Sequence, residues 1–231
     1  MQRSETSMAS AIRAELDRTY ANRFGGMESR RRRVWEVLNR YFFQQRIGTE
    51  DTVLDIGAGY CEFINCVRAK TKYAIDLNPA TVRAAGKEVR VVSQDVTETW
   101  NLESSSVDVA FSSNFLEHLP TKGGLMHCLR ETYRVLRPGG LFIALGPNIR
   151  FCYHVYWDYF DHYLPLSERS LVEALELVGF SPGLVIPRFL PYTMKGKMPS
   201  HPLLVRLYLL LPLAWRIWGR QFLVMVRKPN A

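Results

Sequence analysis

Val53-Leu54-Asp55-Ile56-Gly57-Ala58-Gly59-Tyr60-Cys61-Glu62 is the stretch that decides how this chain folds. An apolar run, fit for a strand buried on both faces, passes through a glycine turn into a helical pattern. Open α/β sheets bind ligands at that carboxyl edge, where glycine lets the backbone approach a small molecule. The next apolar run ends in Ala74-Ile75-Asp76, placing an acid about twenty residues beyond the glycines, where a ribose diol is held in such folds. Dinucleotide-binding proteins share both features, so a nicotinamide-dependent oxidoreductase is one reading. Against it, the G-x-G-x-x-G pattern needs glycine where Glu62 stands, and a carboxylate there opposes a pyrophosphate at the helix N-terminus. Asp55 points the same way, since it suits a cofactor carrying a cationic ammonium group.

Outward from this stretch, short β-branched runs alternate with helical ones, as successive βα units do. Strands are expected at Thr52–Ile56, Lys72–Asp76, Val89–Ser93, Val107–Ser112, Leu141–Leu145, Leu184–Phe189 and Gln221–Arg227. Helices should begin near Cys61, Pro79 and Lys122. Another, Ser167 to Val178, has Ser167 as its N-cap and Gly179 just past its end. Turn chemistry marks the changes of period at Gly57-Ala58-Gly59, Asn78-Pro79 and Pro138-Gly139-Gly140. The expected fold is a doubly wound, mostly parallel seven-stranded sheet whose one reversed edge strand is Gln221–Arg227. Residues 1–46 read as an N-terminal helical cap, with Gly25-Gly26 between two helices. Residues 47–231 form the main domain, with a helical insertion at 191–218.

Five motifs in order sharpen the reading: Asp55-Ile56-Gly57-Ala58-Gly59, Asp76-Leu77-Asn78-Pro79, Gln94-Asp95-Val96, Ser113-Asn114-Phe115-Leu116-Glu117-His118-Leu119, and Arg134-Val135-Leu136-Arg137-Pro138-Gly139-Gly140. Over about residues 34 to 190 the chain resembles the class I S-adenosylmethionine-dependent methyltransferases. That resemblance implies a role for each motif. Asp55 and the backbone of Gly57, Ala58 and Gly59 would surround the methionine part of the cofactor. Asp76 would hold the ribose hydroxyls, Leu77 would pack on adenine, Asp95 and Val96 would meet the adenine edge, and Asn114 would lie beside the sulfonium. One departure stands out: Cys61 occupies the place of a third glycine in many members.

A sulfonium is already an activated electrophile, so the protein has mainly to align the acceptor and exclude water. A hydroxyl acceptor also needs a base, and histidine has a suitable pKa. His118 follows the fourth strand, where the methyl must emerge. His162 closes the aromatic stretch Tyr153 to Tyr163, whose flat rings with Asp158 and Asp161 between them suit an acceptor pocket. An O- or N-methyl transfer to a small-molecule, glycan or lipid-linked acceptor is expected. A non-catalytic protein that keeps the cofactor cradle is the remaining alternative.

Composition bounds the partners. Apolar residues make up 47% and charged residues 23%, as in an ordinary globular chain. The net charge of +8 is uneven: residues 1–46 carry ten Arg and five acids, 47–187 are net acidic, and 188–231 carry eight basic side chains and no acid. Basic ends and an acidic middle argue against a nucleic-acid-coating surface and leave room for an anionic partner. The run Arg30–Arg33 is a solvated helix face or a dock for a phosphate or an anionic membrane. The four cysteines form no CxxC pair, and Cys61 and Cys66 would lie about 140° apart on a helix, so no metal site is expected. With no secretory pattern at the N-terminus, a cytoplasmic protein is expected, touching at most the inner face of a membrane. The segment Pro191–Trp218 is too apolar for an exposed loop. The nine residues between Arg206 and Arg216 would span only about 14 Å as a helix, against a hydrocarbon core of ~30 Å. It is therefore either a lid, a dimer contact or a surface lying on a membrane, with Tyr208, Trp215, Trp218, Lys195, Lys197, Arg206 and Arg216 at the head groups.

Overall fold

The computed structural model describes residues 25–192 and 201–230, together with Ala14, Asp17, Arg18, Thr19, Ala21 and Asn22. Lys195, Lys197 and most of the first helix of the expected cap lie outside the described residues. The second helix of the cap is α1 (Glu28–Leu38), continued by a π-helical turn at Asn39–Phe43 and a 3₁₀ turn at Gln44–Arg46.

The sheet follows as β1 (Thr52–Ile56), α2 (Glu62–Cys66), β2 (Thr71–Ile75), α3 (Pro79–Ala84), β3 (Val89–Val92), β4 (Val107–Ser113), α4 (Lys122–Val135) and β5 (Leu136–Pro147). After it come α5 (Ile149–Tyr156), α6 (Glu168–Val178), β6 (Ser181–Ile186), α7 (Pro202–Leu209), α8 (Pro212–Trp218) and β7 (Gln221–Arg227). The strands are arranged β3-β2-β1-β4-β5-β7-β6. β1 to β4 lie within one residue of their expected bounds; β1 and β4, covered on both faces, read as apolar runs, and β2 and β3 as shorter β-branched or aromatic ones. Local capping behaves as the sequence implied. The Ser167 hydroxyl accepts from the Ser170 N–H, and Gly179 ends α6 at φ 110°.

Two expectations need correction. Gln221–Arg227 is the reversed strand, but it is no edge: β7 runs antiparallel to both β5 and β6, between them. Its residues from Gln221 to Val226 are all buried, the pattern of an interior strand. The edge is β6, whose Pro182, Gly183 and Leu184 are exposed and whose proline fits only at an edge. β6 also begins and ends three residues earlier than expected. Phe189, read as its last residue, is fully buried in the core beyond it.

Alternation along β1 divides the core. Leu54 and Ile56 face a cluster completed by Leu125 and Leu129 of α4 and Leu171 and Leu175 of α6. Val53 faces the other cluster, formed with Val37 and Leu38 of α1, Phe63 and Ile64 of α2, Phe43 and Phe189, and joined by Leu209 of α7 and Trp215 of α8. Pro212 divides the insertion, since α7 ends at Leu209 and the proline opens α8 at its first turn. α7 packs on α1, so the insertion folds back over one face of the sheet.

Candidate functional site

Above the carboxyl end of β1 the chain turns with three left-handed residues: Gly57 at φ 69°, Gly59 at 51° and Cys61 at 58°. Gly57 is required twice over, since a Cβ there would lie 2.0 Å from Cγ of Phe115. Cys61 adopts the backbone that glycine takes freely. It is fully buried, its N–H donates to Ala58 O at 2.7 Å, and its thiol approaches Thr81 O at 3.7 Å. The departure from the family pattern thus leaves the turn intact and stores strain in it.

Three carboxylates converge on this turn. Burial pushes the Asp55 carboxyl well above the usual range, helped by the charges of Glu62 and Asp76. Burial also raises Asp76, against the pull of its hydrogen bonds. Desolvation and the same three acids push the Cys61 thiol up. Asp76 Oδ2 accepts from Gly59 N–H and Oδ1 from Asn78 N–H, each at 2.7 Å, so this acid fastens the glycine turn to the end of β2. Glu62 meets Arg31 of α1 at 2.6 Å. A pocket this negative favours a cation and opposes a pyrophosphate.

A cavity of about 670 Å³ opens beside the turn. Asp55, Gly57, Ala58, Gly59 and Asn114, five of the nine residues expected to hold the cofactor, line it. Asn114 sits at φ 50°, a left-handed conformation that asparagine tolerates, and its N–H donates to Leu145 O. Asp76, Leu77, Asp95 and Val96 do not line this cavity. They follow the carboxyl ends of β2 and β3, next in the sheet after β1. Asp95 Oδ1 accepts from both the N–H and the hydroxyl of Thr97, and Val96 is buried with its carbonyl on the Trp100 indole.

His118 and His162 both line the cavity, 4.9 Å apart between ring centroids. His118 Nδ1 lies 2.8 Å from the Asp161 carbonyl oxygen and 3.3 Å from its carboxylate, and Nε2 faces Glu117 Oε1 at 3.9 Å. His162 is buried among Tyr156, Tyr159 and Tyr192. The aromatic stretch serves the cavity only in part: Tyr159 and His162 line it, whereas Tyr153, Trp157, Phe160 and Tyr163 point to solvent. Sequence reasoning missed Glu117, Trp35 and Tyr192. Only Glu117 had a signal, its place beside His118. The basic run divides, with Arg31 at the cavity and Arg32 on an exposed pair with Glu36. The remaining wall is apolar and comes from α1, α7 and α8, through Val34, Leu38, Leu204, Leu207, Leu211 and Trp218.

Residues 54–144, from β1 through most of β5 with the glycine turn between, match the family described as a methyltransferase domain. This stretch is a methyltransferase domain of the class I S-adenosylmethionine-dependent kind. Its cofactor is S-adenosylmethionine, and the donor set fits that group: a glycine cradle that admits no Cβ, beside carboxylates suited to an ammonium and a sulfonium. Solved structures share the methyltransferase's fold. A chain solved in complex with the Haloferax volcanii Trm112 methyltransferase activator has a TM-score of 0.67 at 18% identity, over 94% of this chain and 98% of that one. A SAM-dependent methyltransferase from Archaeoglobus fulgidus gives 0.64 at 20%, over 86% and 94%. A geranyl diphosphate methyltransferase in complex with SAM gives 0.60 at 16%, over 84% of each chain. No curated protein matches the methyltransferase by sequence.

Proposed function

We propose that the methyltransferase methylates a hydroxyl of an acceptor with a long apolar body, taken from an anionic membrane surface. The observation that carries this reading is the double-sided nature of α7 and α8. Their inner residues wall the cavity, while Leu203, Leu210, Leu213 and Ile217 stand exposed on the outside. From Arg188 onward the chain holds eight basic residues and no acid. An apolar surface of this kind, in a purely basic segment, suits the interface of an anionic bilayer. No helix among the described residues is long and apolar enough to cross a membrane. Lid and docking surface are then two sides of one element.

Asp55 and the Gly57–Gly59 backbone, including Ala58, are assigned to the methionine part of the cofactor and Asn114 to its sulfonium. Asp76 is assigned to the ribose, Leu77 to adenine, and Asp95 with Val96 to the adenine edge, on their order along the strand ends. Asp76 already accepts from the N–H groups of Gly59, Asn78 and Leu77 and from the Thr81 hydroxyl, so a ribose hydroxyl would share the carboxylate with these donors. When bound, S-adenosylmethionine supplies a methyl group already activated by its sulfonium. The apolar wall excludes water and aligns the acceptor. The corner formed by Glu117, His118 and His162 holds the acceptor's hydroxyl, whose proton an oxygen nucleophile must lose.

Methyl-labelled cofactor incubated with the enzyme and a cell extract tests the reading. Label is expected in the lipid fraction. Label confined to polysaccharide, protein, nucleic acid or water-soluble small molecules overturns the acceptor class. In a sedimentation assay at low salt the protein is expected to follow anionic vesicles and not neutral ones. Equal recovery in the supernatant with both overturns the membrane surface and leaves a lid alone.

A further inference from the structure

Glu117, His118 and His162 each present one ligand atom, all within 4.8 Å of one another. We infer that this corner of the cavity is a binding site for a divalent transition-metal ion. The inference rests on reading the corner as the place where the acceptor's reacting group is held.

The His118 tautomer carries the argument first. Asp161 O is a carbonyl oxygen and only accepts, so Nδ1 at 2.8 Å must donate to it. In the neutral ring, Nε2 therefore bears its lone pair toward the Glu117 carboxylate. Metal-ligating imidazoles are held in this way, by donating the other N–H to a carbonyl or carboxylate. A cation seated between two facing acceptors serves both. Distance then limits what fits. In a tetrahedral site ligands about 2.1 Å from one ion stand about 3.4 Å apart; Nε2 to Oε1 is 3.9 Å, and the widest separation in the trio, within 4.8 Å, closes by about an ångström as the side chains turn inward.

Burial is the third point. Glu117 is 2% exposed and His162 6%, so the carboxylate is held in a medium where a cation repays its lost hydration. One oxygen and two imidazole nitrogens suit Zn²⁺, Mn²⁺, Fe²⁺ or Co²⁺ over Mg²⁺ or Ca²⁺, which prefer oxygen. Three protein ligands also leave positions open toward the cavity. The sequence showed no metal signal because its cysteines were scattered; this donor set comes from one turn after β4 and a loop after α5. An ion here acidifies a coordinated acceptor hydroxyl, whose proton then goes to solvent, and both histidines act as ligands in place of bases.

The test uses untagged full-length protein, stripped with chelator and titrated separately with Mn²⁺ and Co²⁺ without cofactor or acceptor. One equivalent is expected at micromolar ion, read by equilibrium dialysis with elemental analysis, and Co²⁺ should give visible bands without thiolate charge transfer. His118→Ala and Glu117→Gln should each weaken binding at least tenfold, with circular dichroism unchanged. The wild-type titration judges the site even where a variant fails to fold. Less than one tenth of an equivalent on wild type at 100 µM of either ion overturns the inference, as does undiminished binding in folded His118→Ala. Labelled lipid formed by a metal-free protein separates this failure from failure of the acceptor assignment.

Discussion

Replacing Asp76 by Asn should destabilise the methyltransferase before any cofactor is added. The carboxylate holds two backbone donors, Gly59 N–H and Asn78 N–H, at 2.7 Å each. Asparagine keeps one acceptor and sets an NH₂ group against the other donor, leaving a buried N–H unpaired. A hydrogen bond to a charged group contributes ~1.5–3 kcal/mol, and an orphaned buried donor costs ~1–3 kcal/mol. These overlap, and the neutral amide is spared the desolvation that raises the Asp76 pKa. The net expectation is a loss of about 1–3 kcal/mol. At roughly 2–4 °C per kcal/mol for a chain of this size, the melting temperature should fall by about 2–12 °C. Urea melts of the cofactor-free protein give the same quantity, with an unchanged slope. Titration calorimetry should then show weaker cofactor binding as well. An unchanged urea midpoint beside lost affinity would refute the reasoning, because Asp76 would then serve the ligand and not the turn.

Further outcomes follow from the same site. Asp55 has a folded-state pKa above its unfolded value, so its contribution to stability declines as pH rises from the usual carboxylate range through the raised value. A cationic cofactor needs the ionised form, so affinity should rise with pH over that window and binding should release protons; calorimetry in two buffers of different ionisation heat would show proton uptake if this is wrong. Gly57→Ala combines a positive φ with a collision against Phe115 and should reduce cofactor affinity more than tenfold; thermal melting should recover in part when Phe115→Ala is added. Cys61→Val places a β-branched residue at φ 58° and should lower stability by about 2 kcal/mol or more. Cys61→Gly, trading strain for lost packing, should stay within about 1 kcal/mol of the parent in the same melts.

What could be read from the sequence follows from how local each signal is. β1 and β4 declared themselves because a strand covered on both faces is an apolar run bounded by turn residues, as Val53–Ile56 and Val107–Phe111 show. The place of β7 between β5 and β6 depends on pairings that no local pattern encodes, although its unbroken run of apolar residues was the mark of an interior strand. At the site, Asp55 and the glycines lie on one turn and were legible together. His118 and His162 could be named singly, but their meeting depends on a loop returning to β4. Four consecutive arginines on a helix point about 100° apart, so the sequence alone does not tell Arg31, at the cavity, from Arg32, on the surface.

The position of β7 constrains the order in which the molecule is completed during synthesis. Among the described residues β6 has only β7 as a partner in the sheet, and β7 alone covers the β5 edge from Leu141 to Pro147. Until Gln221–Arg227 leaves the ribosome, that apolar edge is an open template for pairing with another chain, and α7 and α8 hang from an unfinished sheet. The last strand therefore acts as a latch, and a nascent chain acquires its cavity wall only once translation has passed it. A chain stalled after Trp218 would expose the bare edge and the lid's leucines together, making it a client for chaperones.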